Sequence, residues 1–537
     1  MPEQGNLRDA VLGEAGAAAL LAGSSKERDD STIMEALSGL LNGFQIVFHP
    51  VNIFVCFAGC VLGTLVGVLP GLGPTSAISL LLPITFRADP VSAIIMLAGI
   101  YYGAMYGGST TSILVNIPGE PSSVVTCFDG YPMAQQGRAG PALGISAFGS
   151  FIAGTAAVFG LTFFAPALSR LALRFGPAEN VGIIVLSLTL LAFLAQGSMV
   201  RALMMAALGL ILGTVGTDLI TGKARFSYGI GTLADGIGLI PFVVGMFGVG
   251  EVLLNLETSV QREILKAGLK GLFPSLADWK ASTLPMIRAT VLGFFLGILP
   301  GIGAIIPTFV SYSIEKRLSK HPEKFGTGII EGVAGPETAN NAAAGAAFIP
   351  MFSLGIPPNA VLAVLLGALM IHGVQPGPQF ISGHPDLFWG VVASMYVGNV
   401  MLLILNLPLI PLWVQILKVP YSLLFALILL FCLIGTYSVS NNPGDIVVMV
   451  VFGFVGYLVK KYRYEVSPLV LAFVLGPILE KNVRQALIIS RGSFAVFVTH
   501  PISVTFFAIT LLLLALPLLR RKKREAEQGT TLPGDAS

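Results

Sequence analysis

One glycine-proline pattern occurs twice in this chain, and each time it interrupts an apolar run. Gly67-Val68-Leu69-Pro70-Gly71-Leu72-Gly73 returns 230 positions later as Gly297-Ile298-Leu299-Pro300-Gly301-Ile302-Gly303. Proline lacks an N–H and its ring collides with the preceding turn, so a helix bends or ends there. The flanking glycines accept backbone angles that other residues resist. In hydrocarbon such a break persists only where protein or a watery cavity satisfies the freed backbone groups. Two breaks, one in each half, point to a binding site between related halves.

Composition shows that hydrocarbon is the relevant solvent. The 537 residues are 54% hydrophobic and 11% charged, with a mean hydropathy of +0.83; a soluble chain carries about 25% charge. Apolar runs near or above ~18 residues recur, the length that crosses a bilayer. The expected fold is an all-α polytopic integral membrane protein of about 10–14 transmembrane or re-entrant helices, some of them broken. The net charge is only +3, and the basic residues sit in short loops beside apolar spans. That placement sets orientation in the bilayer and gives no reason to expect nucleic acid. Cys56 and Cys60 lie one helical turn apart in an apolar run, and Cys127 and Cys432 stand alone. No redox or zinc spacing appears, so they read as packing residues.

Along the chain, residues 1–32 are polar and read as a disordered extension without a signal-peptide pattern. A first membrane repeat is expected over 33–254, opening with an amphipathic interfacial helix over 33–48. A charged linker over 255–289 carries Arg262, Lys266, Lys270, Lys280 and Arg288. A second repeat with C-terminal helices covers 290–519. A basic tail over 520–537 begins Arg520-Arg521-Lys522-Lys523-Arg524, the mark of a cytoplasmic C-terminus. The span from Val91 is expected to end at Gly107-Gly108, and Pro468 to Ile478 reads as a short re-entrant piece.

Further matches support a duplication. Ile117-Pro118 and Ile356-Pro357 are 239 positions apart, as are Gln136 and Gln375. The nine added positions fit a longer turn in the second half, with Lys316, Arg317, Lys320 and Lys324 where the first has Arg87 and Asp89. If the halves are inverted, these turns lie on opposite faces, the more basic one in the cytoplasm.

Polar residues cluster beside the breaks. Ser109, Thr110, Thr111 and Ser112, with Asn116, can donate to a carboxylate or lend oxygens to a sodium ion, and a half-helix N-terminus adds positive field. The competing reading is hydrogen bonding between helices. Glu337, Thr338, Asn340 and Asn341 form the matching cluster. A carboxylate at membrane depth costs ~2.5–3.5 kcal/mol on insertion scales and is paired or functional; the alternative for Glu337 is a helix cap in a loop. Gly71, Gly73, Gly301 and Gly303 let a ligand approach the backbone, or allow tight helix packing. Thr75, Ser76 and Gly119, with Ser353, Pro357 and Asn359 of the mirrored segment, complete the candidate set. Glu120, Asp129 and Arg138 read as loop residues and His372 as a hydrogen-bonded structural histidine. No Walker loop, metal-protease spacing or partnered catalytic serine is present, so the chain does not read as an enzyme.

The segments Gly67–Pro74, Tyr102–Pro121, Gly335–Asn341 and Leu475–Leu487 together resemble the large permease subunit of the tripartite tricarboxylate transporters, over roughly residues 35–520. The resemblance implies a multi-pass protein of the bacterial inner membrane. It implies a small membrane subunit of about four helices and a periplasmic solute-binding protein as partners. It further implies import of tricarboxylates or related carboxylates, coupled to Na+ (or H+), with no other cofactor. A passive channel for small anions is the alternative.

Overall fold

The structure is a computed structural model that describes residues 33–69, 72–195, 198–218, 221–257, 272–416, 419 and 421–529. The extension over 1–32, residues 258–271 of the charged linker, Pro70 and Gly71 of the first break, and the end of the basic tail lie outside the described residues.

The described chain is helical except for one antiparallel hairpin, β1 (Gly216–Thr217) with β2 (Ala224–Arg225). Among the described residues nine helices are long and apolar enough to cross a membrane, and five shorter apolar helices accompany them. In the first half α1 (Ile33–Val47) and α2 (Pro50–Val68) precede the break. After it come α3 (Pro74–Thr85), α4 (Pro90–Val115), α5 (Val124–Gln135) and α6 (Ala139–Ala172). Then α7 (Pro177–Leu194), α8 (Met199–Leu212) and α9 (Leu239–Glu257) lead to the second half. There α10 (Leu276–Ile298) and α11 (Ile305–Leu318) flank the second break. They are followed by α12 (Glu331–Ala346), α13 (Phe348–Leu354), α14 (Ala360–Ile371) and α15 (Pro385–Asn406). The C-terminal helices are α16 (Tyr421–Ser440), α17 (Pro443–Lys461), α18 (Ser467–Ile489) and α19 (Pro501–Gly529).

Small residues hold the central helices together. A Cβ on Gly59, Gly63 or Gly67 of α2 would lie within 2.4 Å of the carbonyl oxygens of Met96, Ile100 or Ala104 of α4. Without a hydrophobic drive between helices in lipid, such backbone contact is what binds them. The second half repeats it: Gly293 and Gly297 of α10 press on the carbonyls of Ala339 and Ala343 of α12. Gly63 to Gly293 spans 230 positions and Ile100 to Ala339 spans 239, the same two offsets as the sequence matches.

Corresponding helices cross in opposite directions. Tyr102 of α4 stacks on Phe348 while Ser109, two turns on, meets Glu337 of α12, so α4 ascends as its counterpart descends. Asn406 of α15 lies with Leu143 and Ser146 of α6, whereas Tyr396 lies 3.3 Å from the Thr162 hydroxyl. The peripheral helices show Leu423, Leu430, Phe431, Ile434, Val447 and Phe454 on the outside, an apolar surface suited to lipid.

Several expectations change in detail. Gly107 and Gly108 do not end α4, which runs on to Val115. Their glycines allow close approach instead, since a Cβ on Gly107 would meet the Thr64 carbonyl at 2.4 Å. The charged stretch over 255–289 is partly helix: α9 extends to Glu257, and a capping box between Ser275 and Asp278 starts α10. Lys280 and Arg288 therefore sit on α10, and Arg288 pairs with Glu315 of α11. Pro468 to Ile478 is the first half of an unbroken 23-residue α18. Its later charges, Glu480 and Arg484, are neutralised by Arg225 and Asp218 beside the hairpin, so the helix continues past them.

Candidate functional site

The second break is a left-handed turn. Gly301 (φ 85°) and Gly303 (φ 62°) both occupy the region that favours glycine. The Gly301 N–H donates to the Pro358 carbonyl at 3.1 Å, which ties this break to the turn before α14. In the first half Gly119 makes the corresponding approach, where a Cβ would lie 2.3 Å from the Gly67 carbonyl.

These turns enclose one cavity of about 880 Å³, within the usual few-hundred to ~1,000 Å³ range of small-molecule sites. First turns of helices from both halves line it. Gly73, Pro74, Thr75 and Ser76 open α3, and Ala304, Ile305 and Ile306 open α11. Asn359, Ala360 and Val361 open α14, while Pro121, Ser122 and Val124 lead into α5. Val466 and Ser467 open α18. The ends of α3, α11 and α18 have no side-chain cap and offer unpaired backbone N–H groups and the positive end of the helix dipole. α9 supplies a π-helical stretch, Val244–Val249, whose Phe247 lines the wall and whose carbonyl accepts from the Ser76 hydroxyl at 3.2 Å. Lys460 of α17 is the one basic side chain among the lining residues, and it pairs with Glu251, also in the wall.

Behind this wall lies a buried polar cluster. Glu337 is 1% exposed and accepts from the hydroxyls of Ser109 and Thr126. Glu120, 3% exposed, faces the cavity. It accepts from the Ser123 N–H at 3.2 Å and from Asn340 Nδ2 at 3.1 Å. Asn341 Nδ2 donates to the Ser150 hydroxyl at 2.7 Å. Three oxygens here have no hydrogen-bond partner among the described residues: Thr338 Oγ1, Asn340 Oδ1 and Asn341 Oδ1.

The sequence-selected residues thus divide. Gly73, Thr75, Ser76, Gly119, Gly301, Gly303 and Asn359 line the cavity. Ser109, Glu337, Thr338, Asn340 and Asn341 are buried behind it, in helix interiors, and Glu337 is no loop cap. The Thr111 hydroxyl donates to the Val68 carbonyl at the end of α2, Ser112 to Gly108 and Ser353 to Ile349. Thr110 is buried beside Leu143 and Asn406, and Pro357 is buried just ahead of α14. Asn116 adopts left-handed angles at the C-terminus of α4 and is exposed. Gly71 lies outside the described residues.

Three residues set aside as loop or structural differ from that reading. Glu120 belongs to the cavity wall. Asp129 is buried in α5, where Oδ1 accepts the N–H groups of Gly326, Gly328 and Ile329 at 2.8–3.0 Å. His372 Nε2 is buried without a partner.

The family model described as "Tripartite tricarboxylate transporter TctA family" matches residues 53–471. The chain belongs to this family. It is also 51% identical over 495 residues to an uncharacterized 52.8 kDa protein in the TAR-I ttuC' 3' region of Agrobacterium vitis, covering 92% of this chain and 99% of that one. A second protein of the same organism, in the TAR-II ttuC' 3' region, is 52% identical over 235 residues, 43% of this chain and 97% of that one. No solved structure matches. As a TctA-family member the chain is a multi-pass transporter permease, one component of a tripartite system that includes a binding protein. The breaks, the cavity between them and the cluster behind it all fall within the matched segment.

Proposed function

We propose that this TctA-family chain imports tricarboxylates or related carboxylates across the bacterial inner membrane, driven by an ion gradient, sodium in the first instance. A periplasmic binding protein delivers the substrate, and a small membrane subunit of about four helices completes the assembly. The observation that carries this reading is the convergence of helix first turns from both halves on one cavity. Half-helix N-termini at membrane depth suit anionic groups. A substrate with several carboxylates can engage several of these ends at once, and Lys460 adds a cation at the wall.

The halves are read as inverted repeats. The antiparallel crossing of α4 with α12 and α13, and of α6 with α15, supports that reading. In such transporters one bundle moves against the rest around a fixed site.

The test is reconstitution of the full chain with its small subunit and binding protein. Labelled citrate uptake is followed with and without an inward sodium gradient. Accumulation above the external concentration that depends on both gradient and binding protein is expected. Downhill flux indifferent to either would establish a passive anion pore instead.

A further inference from the structure

We propose that Glu120 and Glu337 together hold the coupling ion, a single sodium ion, at a site that adjoins the carboxylate cavity. This rests on the ion-coupled reading above and gives the ion a location. Both carboxyl groups are buried. The ion pairs among the described residues all lie elsewhere. Two carboxylates at membrane depth without a basic partner need another positive charge.

The two groups converge. A Cβ on Gly108 would lie 3.3 Å from Glu120 Oε1, and the next residue, Ser109, donates its hydroxyl to Glu337 Oε2. Asn340, one turn beyond Glu337 on α12, places its carboxamide against Glu120. Its Nδ2 is committed there, while its Oδ1 is buried and unpartnered. Asn341 Oδ1 is unpartnered on the same helix, whereas Thr338 Oγ1 faces Gly149 of α6. Buried polar atoms are ordinarily satisfied, so an oxygen left bare beside two carboxylates is an unfilled ligand position. A proton would neutralise one carboxylate and satisfy at most one of these oxygens. A sodium ion takes oxygen ligands and supplies the charge in the same step.

The placement also explains coupling. Glu120 lines the cavity and touches the cluster, so it belongs to both. An ion between the carboxylates offsets part of the negative potential that would repel an incoming anion. Ion binding therefore comes first and raises the affinity for carboxylate, and the effect is reciprocal.

The test measures ²²Na⁺ binding to the purified full chain in lipid nanodiscs, without substrate or partners. Saturable binding is expected, weakened at least tenfold in both Glu120→Gln and Glu337→Gln. Sodium is also expected to raise the thermal midpoint of the wild-type chain, a reading that needs no variant to fold. Absence of saturable binding to the wild-type chain, or wild-type binding in both folded variants, overturns the site. Proton-driven carboxylate uptake by the chain reconstituted with its partners in sealed vesicles would then leave the permease reading standing.

Discussion

Asn340 Nδ2 donates to Glu120 Oε1 at 3.1 Å, and Asn359 Nδ2 donates to the Tyr101 hydroxyl at 3.3 Å. Moving Glu120 on by 239 positions gives Asn359, and moving Tyr101 on by 239 gives Asn340. The two bonds are therefore the same contact made twice, each crossing from one half to the other. One member of each pair, Glu120 and Asn359, lies at the turn that opens onto the cavity. This relationship links the halves at the depth of the site.

Buried Asn341 and Thr111 are expected to matter more for transport than for insertion. Asn341→Ala removes the donor to Ser150 and the Glu337 carbonyl. Thr111→Ala frees the Val68 carbonyl at the end of α2, next to the first break. Uptake by either variant should fall more than tenfold at wild-type membrane abundance. Radiolabelled uptake normalised to immunoblot signal checks it; wild-type rates in both would remove these side chains from the mechanism.

Lys460 and Glu251 should shift substrate affinity in opposite directions. Lys460→Gln removes the basic side chain of the wall and is expected to raise KM at least tenfold. Glu251→Gln releases Lys460 from its pair and should lower KM. Initial-rate uptake over a range of citrate concentrations separates the effects, because loss of binding common to ground and transition state appears in KM.

The glycines divide into packing and lining positions. Gly63→Val would force a side chain into the Ile100 carbonyl, where even a Cβ would sit at 2.3 Å. Overpacking costs about 1–3 kcal/mol or more, so low yield and early unfolding are expected. Gly73 has nothing within 4 Å of a Cβ and a φ of −69°. Gly73→Ala should fold normally while narrowing the cavity, seen as an unchanged thermal midpoint and a raised KM.

Asp129 clamps the turn before α12 onto α5 through three backbone N–H groups and the Tyr312 hydroxyl. Its replacement by alanine strands buried donors, each costing about 1–3 kcal/mol. Asp129→Ala should lower the thermal midpoint more than Asp129→Asn, which keeps an acceptor. Fluorescence-detected size exclusion after heating measures this.

Inverted halves put the two corresponding turns on opposite faces. Arg87 and Lys320 are both exposed, whereas Asp89 caps α4 and is better left intact. In sealed cells an impermeant maleimide should label Arg87→Cys and spare Lys320→Cys. Equal labelling would contradict inversion.

Much of this architecture was legible in the sequence because lipid leaves few solutions. Apolar length located the spans, and the repeated proline-glycine pattern located both breaks. Glu120 was missed because adjacent prolines at 118 and 121 made its segment look like an exposed loop. The 239-residue offset would have paired it with Asn359, which was selected. Gly107-Gly108 misled in the opposite way, since glycine serves helix contact in lipid as well as helix ends. Lys460, Glu251 and the π-helical wall of α9 come from outside the matched repeat positions. Only tertiary packing brings them to the cavity.

The central claim is that turns from both halves bind one carboxylate ligand. Ser76→Cys and Ile306→Cys place a thiol on each half of the cavity wall, in a background where the half-buried Cys127 is serine. The direct measurement is maleimide labelling of each variant with and without millimolar citrate. Protection of both positions is predicted, and protection of one alone, or of neither, would contradict the shared site.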